Sequence, residues 1–174
     1  MSGASRLVLV TGGARSGKSR FSEQKLAELA PGGPWRYIAT AEALDDEMRD
    51  RITHHRARRG AEWRTVEAAR DVVGALRSSE YAVLLDCITL WISNLMLDGK
   101  KDDDILAAAD EAVAAARAAG VPVILVTNEV GSGMVPNHPL SRRFRDVAGW
   151  VNQRLALACD EVFVIVSGLP LKLR

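Results

Sequence analysis

Eight consecutive residues, Gly12-Gly13-Ala14-Arg15-Ser16-Gly17-Lys18-Ser19, carry the plainest chemistry in this 174-residue chain. They match G-x-x-x-x-G-K-[ST], a loop that wraps a polyphosphate. Its glycines let backbone N–H groups turn toward phosphate oxygens, and a helix opening behind them adds partial positive charge. Lys18 is placed to reach the outer phosphates, and Ser19 to ligate magnesium. The flanks agree, with an apolar run at Leu7-Val8-Leu9-Val10 before the loop and a helical pattern after it. The chemistry implied is binding of a nucleoside triphosphate with Mg2+. Asp86 closes a second apolar run. It reads either as a holder of the same metal or as the N-cap of the next helix.

A second segment stands out between Asp45 and Arg64. Leu44, Met48 and Ile52 fall on one face of a helix, and His55 lies close to that stripe, with His54 off it. Arg49, Arg51, Arg56, Arg58, Arg59 and Arg64 concentrate positive charge in a chain whose formal net charge is only +1. On spacing alone, His55 reads as a packed core histidine and the arginines as a solvated face. Beside a triphosphate loop, the arginines are suited to bind phosphates. A neutral imidazole is then a competent nucleophile toward phosphorus. A simple kinase does not need this histidine, whereas a nucleotidyl transferase has a use for it. Glu129, at a strand end, reads equally as an active-site carboxylate or a loop cap. His138, in a proline-flanked loop, reads as ordinary.

The elements that must position these groups alternate along the chain. Strands are expected at Leu7–Val10, Trp35–Ala39, around Trp63–Val66, at Tyr81–Asp86, at Val121–Thr127, and, as the last central strand, at Val162–Val166. Helices are expected from Lys18 to about Ala30, Asp45–Arg59, Asp71–Arg77, Ile88–Leu97, an alanine-rich stretch ending at Gly120, and Pro139–Cys159. Residues 98–104 read as a loop whose aspartates cap the alanine-rich helix. The last helix carries Leu140, Phe144, Val147, Ala148, Val151 and Leu155 at helical spacing. This pattern predicts an α/β fold, a mainly parallel sheet flanked by helices on both faces, in one domain spanning residues 1–174. Ligands of such sheets sit at the carboxyl ends of the strands. The balanced charge argues against charge-driven binding to nucleic acid or an anionic membrane. No apolar run is long enough to span a bilayer, and the N-terminus leaves no room for a signal peptide. The expected location is the cytoplasm, with Cys87 and Cys159 as reduced, buried thiols.

The chain resembles the bifunctional adenosylcobinamide kinase / adenosylcobinamide-phosphate guanylyltransferase family along essentially its whole length. The resemblance rests on residues 11–19, Tyr37-Ile38-Ala39-Thr40, Asp45-Asp46-Glu47-Met48, His54-His55-Arg56, and Trp63-Arg64-Thr65 with Glu67. It continues in Leu85-Asp86-Cys87-Ile88-Thr89-Leu90-Trp91, Thr127-Asn128-Glu129-Val130-Gly131-Ser132-Gly133, residues 144–149 and Val151-Asn152-Gln153-Arg154. The resemblance implies a P-loop NTPase of RecA-like type assembled as a homotrimer. It implies two reactions. A nucleoside triphosphate, ATP or GTP, phosphorylates adenosylcobinamide. GTP then donates GMP to adenosylcobinamide phosphate, through a guanylylated histidine that the motif places at His55. Nucleotide contacts carry over to Gly12 through Ser19, to Ala39, Thr40 and Ala41, to Arg56, Ala57, Arg58 and Arg59, and to Glu67 and Asp86. Lys18 joins His55 as a catalytic residue, and Ser19 and Asp86 form the metal set. Asp86 stands where some members carry glutamate, and Trp150 where a polar residue is common. Two rivals stay open on the residues alone: a monofunctional P-loop kinase of another small metabolite, and a non-enzymatic nucleotide switch.

Overall fold

A computed structural model describes residues 6–42, 46, 49, 50, 53 and 59–174. The alternation read from the sequence becomes a seven-stranded sheet. Its strands are β1 (Leu7–Gly12), β2 (Trp35–Ala39), β3 (Trp63–Glu67), β4 (Ala82–Asp86), β5 (Val123–Val126), β6 (Glu161–Val166) and β7 (Leu169–Lys172), in the spatial order β3-β2-β4-β5-β1-β6-β7. Every pairing is parallel except β6 with β7. Five helices have both bounds among the described residues: α1 (Lys18–Leu29), α2 (Val72–Arg77), α3 (Ile88–Leu97), α4 (Asp102–Ala118) and α5 (Pro139–Ala158). Of the expected Asp45–Arg59 helix, Asp46, Arg49, Asp50 and Thr53 are helical, Arg59 is not, and the rest of that stretch lies outside the described residues.

The strands are apolar on both sides because both sides are covered. Leu7, Leu9, Val83, Leu85, Val123 and Leu125 point into a core shared with Trp91, Ile105, Val147 and Val151. Their neighbours Val8, Val10, Leu84, Ile124 and Val126 point the other way, onto Leu26 of α1. This two-sided burial is what parallel strands with crossover helices require. Alanines let α4 pack closely: Ala109, Ala112, Ala115 and Ala116 are all buried. Trp91 is 1% exposed, and its indole N–H donates to the Arg70 carbonyl at 2.9 Å, so the ring is buried without leaving a polar atom stranded.

Val162–Val166 lies in β6, the last central strand as expected, and one strand beyond the expected set follows it: β7, an antiparallel edge strand. Ser167 and Gly168 form the hairpin between them, with φ of 52° and 83°. Positive φ at both turn residues matches the right-handed twist of the flanking strands. The loop after Asp98 is shorter than expected. Helix α4 begins at Asp102, and the Asp104 carboxylate accepts the Lys101 N–H at 3.2 Å. Three aspartates in a first turn complement the positive helix end rather than break it.

The connections set the site. Strand β5 stands between β1, which feeds residues 12–19, and β4, which ends at Asp86. All these strands run the same way, so their carboxyl ends open on one edge.

Candidate active site

The loop after β1 is shaped by a close approach. Gly12 has φ of 149°, and a Cβ there would sit 2.5 Å from the Ile165 carbonyl oxygen of β6. Only glycine lets β1 pass β6 at this distance. The hairpin turn supports the loop from the same side, since the Gly168 N–H donates to the Ser16 carbonyl at 2.9 Å. Gly17 takes a left-handed conformation as the N-cap of α1.

Lys18 is 8% exposed. Its ammonium donates to the carbonyls of Gly12 at 3.0 Å and Gly13 at 2.6 Å. Burial pulls its pKa below the ordinary lysine value, and Asp86 works against that pull. A cation so desolvated gains from a further anion.

Asp86 is not a helix cap. The N-cap of α3 is Cys87, which makes no side-chain cap. The Asp86 carboxylate instead accepts the Ser19 hydroxyl at 3.1 Å and the Tyr37 hydroxyl at 2.9 Å, both on Oδ2. Burial, with Asp86 beside it, pushes the Tyr37 phenol far above its ordinary value, so the hydroxyl stays a donor. Ser19 and Asp86 thus bring a hydroxyl and a carboxylate together, the hard oxygen donors that suit a small divalent cation held jointly with phosphate. Among the described residues no cluster of three or more His, Cys, Asp or Glu forms a metal cage. A metal bound mainly through substrate phosphates needs none.

These groups open on one cavity of about 750 Å³. Residues 14–19, Ala39, Ala41, Arg59, Glu67 and Asp86 line it. Gly12 and Gly13 lie beneath, their carbonyls engaged by Lys18. Thr40 does not line it. Its hydroxyl is wholly buried, donates to the Cys87 carbonyl at 2.8 Å and accepts the Cys87 N–H at 2.8 Å. Thr40 therefore fastens the end of β2 to the end of β4 and so fixes where Asp86 emerges. Asn94 reinforces that clip by donating to the carbonyls of Thr40 and Ala69 at 2.9 Å each. His55, with Arg56, Ala57 and Arg58, lies outside the described residues, as does His54.

Several cavity residues were not read as site residues from the sequence. Tyr37, Thr89, Asn128 and Phe144 all face it. The Asn128 side-chain amide donates to the Thr89 hydroxyl at 2.6 Å. Asn152 holds this corner from behind: its amide donates to the Asn128 carbonyl at 3.2 Å, and its Oδ1 lies 2.7 Å from the Thr127 hydroxyl. The Val-Asn-Gln and Thr-Asn-Glu segments are thereby explained as one structural unit. The Glu129 carboxylate is exposed at the cavity, while its N–H donates to the Gly12 carbonyl at 3.1 Å. His138 is the exposed N-cap of α5, accepting the Leu140 N–H at 3.2 Å. Both cysteines are free and buried. Burial pushes the Cys87 thiol up to about 11 and the Cys159 thiol to about 12.

This parallel sheet, its interposed β5 and its phosphate loop define a P-loop NTPase of RecA-like type. A solved KaiC-like protein from Pyrococcus horikoshii OT3 is similar, with a TM-score of 0.52 and 16% identity over 92% of this chain and 71% of that one. At that identity the likeness concerns the fold. The family model for cobinamide kinase / cobinamide phosphate guanyltransferase matches residues 8–173. The bifunctional adenosylcobalamin biosynthesis protein CobU of Salmonella typhimurium is 46% identical over 183 aligned positions, covering 97% of this chain and 99% of the relative. CobP of Pseudomonas aeruginosa, a bifunctional adenosylcobalamin biosynthesis protein, is 46% identical over 95% of this chain and 96% of its own. The chain belongs to the cobinamide kinase / cobinamide phosphate guanyltransferase family.

Proposed function

We propose that this chain catalyses two successive transfers, as its family does: phosphorylation of adenosylcobinamide by ATP or GTP, then transfer of GMP from GTP to adenosylcobinamide phosphate. The products of the second are adenosylcobinamide-GDP and pyrophosphate. The observation that carries the reading is the meeting of Lys18, Ser19 and Asp86 in one cavity, on a chain matched by the family over residues 8–173.

In the first transfer the backbone of residues 12–19 cradles the polyphosphate, and Lys18 takes up charge that grows on the transferring phosphoryl group. Ser19 and Asp86 would hold magnesium, which supplies charge neutralisation on the phosphate oxygens. Ala39, Ala41 and Glu67 bound the nucleotide, with Thr40 acting through its clip on Cys87. In the second transfer an imidazole nitrogen of His55 attacks the α-phosphorus of GTP. The bond to the β-phosphate oxygen breaks, and pyrophosphate departs. The phosphate of the cobinamide substrate then attacks the same phosphorus, and the phosphorus–nitrogen bond breaks. Arg56, Arg58 and Arg59 neutralise the leaving group or the transferred GMP, while Ala57 contributes backbone alone. The chain acts as one domain, in the cytoplasm, as a homotrimer. No described helix is long and apolar enough to cross a membrane.

GTP labelled at the α-phosphate tests the histidine. Acid-labile label should remain on the parent protein and disappear in His55→Ala, while γ-phosphoryl transfer to cobinamide continues. Label retained in His55→Ala would remove His55 from the reading. Lys18→Ala should impair both transfers.

A further inference from the structure

The Tyr37 side chain sits at a junction that the two transfers leave unexplained. The residue is 5% exposed, and its ring meets Trp63 edge-on at 6.1 Å between centroids. Its hydroxyl ends on Asp86 Oδ2 at 2.9 Å, the same oxygen that accepts Ser19. Both donors on one oxygen leave Oδ1 with no hydrogen-bond donor among the described residues. The Arg59 guanidinium carbon stands 3.5 Å from the Tyr37 ring centroid, a close cation–π stack. Arg59 also points toward Thr65, at 3.4 Å. The stack therefore braces the phenol that meets the carboxylate of the phosphate site.

A buried phenol needs a hydrogen-bond partner, and many partners would do. The choice of Asp86 has a geometric effect. A carboxylate at a strand end can rotate about two bonds. With Oδ2 pinned by a rigid phenol, the carboxylate keeps one orientation, and the Tyr37 ring is itself held by contacts with Trp63 and Arg59. Register makes this possible. In the β2–β4 pairing Tyr37 stands opposite Leu84 and Ala39 opposite Asp86, so the phenol reaches one pleat along to the carboxylate.

We propose that Tyr37 is the positioning residue for Asp86, presenting its Oδ1 to the nucleotide-bound cation, and that Arg59 stacked on the ring holds the phenol in place. The proposal rests on the metal role given to Asp86 above.

The test measures metal binding apart from turnover. Mn2+ is titrated into protein saturated with a non-hydrolysable GTP analogue, and free Mn2+ is read by electron paramagnetic resonance. Tyr37→Phe keeps the ring and removes the hydroxyl. Its half-saturating Mn2+ should rise about tenfold, the loss expected for one hydrogen bond to a charged group. The metal concentration needed for half-maximal kinase rate should rise by a larger factor than kcat at saturating metal falls, because the carboxylate is still present. Arg59→Met should raise half-saturation about threefold in the parent and add nothing further in Tyr37→Phe. Half-saturation within twofold of the parent in folded Tyr37→Phe, or additive effects of the two changes, would overturn the proposal. A purely packing role would lower the melting temperature without moving the metal titration, and that result also counts against it. Should Tyr37→Phe not fold, Arg59→Met decides by whether Mn2+ half-saturation moves while affinity for the nucleotide analogue without metal does not; no such movement overturns the proposal. Asp86→Asn separates the two layers. If it too leaves Mn2+ binding unchanged, the metal assignment has failed and the positioning role with it. If only Tyr37→Phe is silent, the metal assignment stands and the positioning role falls.

Discussion

Replacing Gly12 by alanine should damage the fold far more than the same change one residue later. At Gly12 the added Cβ would lie 2.5 Å from the Ile165 carbonyl oxygen and 2.8 Å from the Ser16 hydroxyl. The hydroxyl can rotate away, but the carbonyl cannot. Ile165 is fixed in β6, opposite Gly12 on one side and Pro170 on the other. The backbone at φ of 149° is itself strained for any residue with a Cβ, at about 1–3 kcal/mol. Forcing β1 and β6 apart adds overpacking of about 1–3 kcal/mol. A loss of about 4 kcal/mol is therefore expected. For a chain of this size that lowers the melting temperature by about 8–16 °C. At Gly13 no atom lies within 4 Å of the added Cβ, and φ is not positive. Gly13→Ala should stay within about 1 kcal/mol of the parent, helped by a less flexible unfolded chain. Urea unfolding followed by circular dichroism, without nucleotide, measures both. Equal destabilisation of the two variants, or Gly12→Ala within about 1 kcal/mol of the parent, would refute the close-approach reasoning.

Asp160 accepts the Leu7 N–H at 2.8 Å and a forked pair from Arg117 at 2.7 and 2.8 Å. The Arg117 hydrogen bonds hold its pKa below the ordinary value against partial burial, and the Leu7 N–H helps. A depressed folded pKa gives stability that is present above the unfolded value of about 4 and lost as pH falls through the folded one. Asp160→Asn should therefore melt lower than the parent at pH 7, with the gap closing below about pH 4, as thermal scans across pH would show. Asn152→Ala removes the support of Thr127 and Asn128. It should cost about 2 kcal/mol by thermal unfolding and lower kinase turnover several-fold, through a looser Asn128.

Much of this arrangement could be read from residue order, and the reasons are local. The phosphate loop is eight adjacent residues between an apolar run and a helix, so its chemistry and its context lie together. The buried strands declare themselves by continuous apolar runs such as Leu7–Val10 and Val123–Val126. The last strand was overlooked because Leu169–Lys172 is short, contains Pro170 and is exposed along its length. Those are the marks of an edge strand rather than a core one. The loop before α4 was overdrawn because aspartates that cap a helix also populate loops. The roles of Tyr37, Thr40 and Asn152 were hidden for a different reason. Tyr37 is 49 residues from Asp86, Thr40 is 47 from Cys87, and Asn152 is 25 from Thr127. Those contacts exist only once β2 pairs with β4 and α5 packs behind β5. Thr40 in particular carries a polar side chain beside the cavity in sequence, yet it faces inward.

The most direct test of the two-transfer reading follows both phosphates at once. Purified protein is incubated with adenosylcobinamide, magnesium and GTP labelled at either the α- or the γ-phosphate, and the corrinoid products are separated by chromatography and mass spectrometry. The γ-label is expected to appear first in adenosylcobinamide phosphate. The α-label is expected later in adenosylcobinamide-GDP, with one pyrophosphate released per product. Transfer of γ-label alone, with no α-label ever reaching the corrinoid, would contradict the reading and leave a simple kinase.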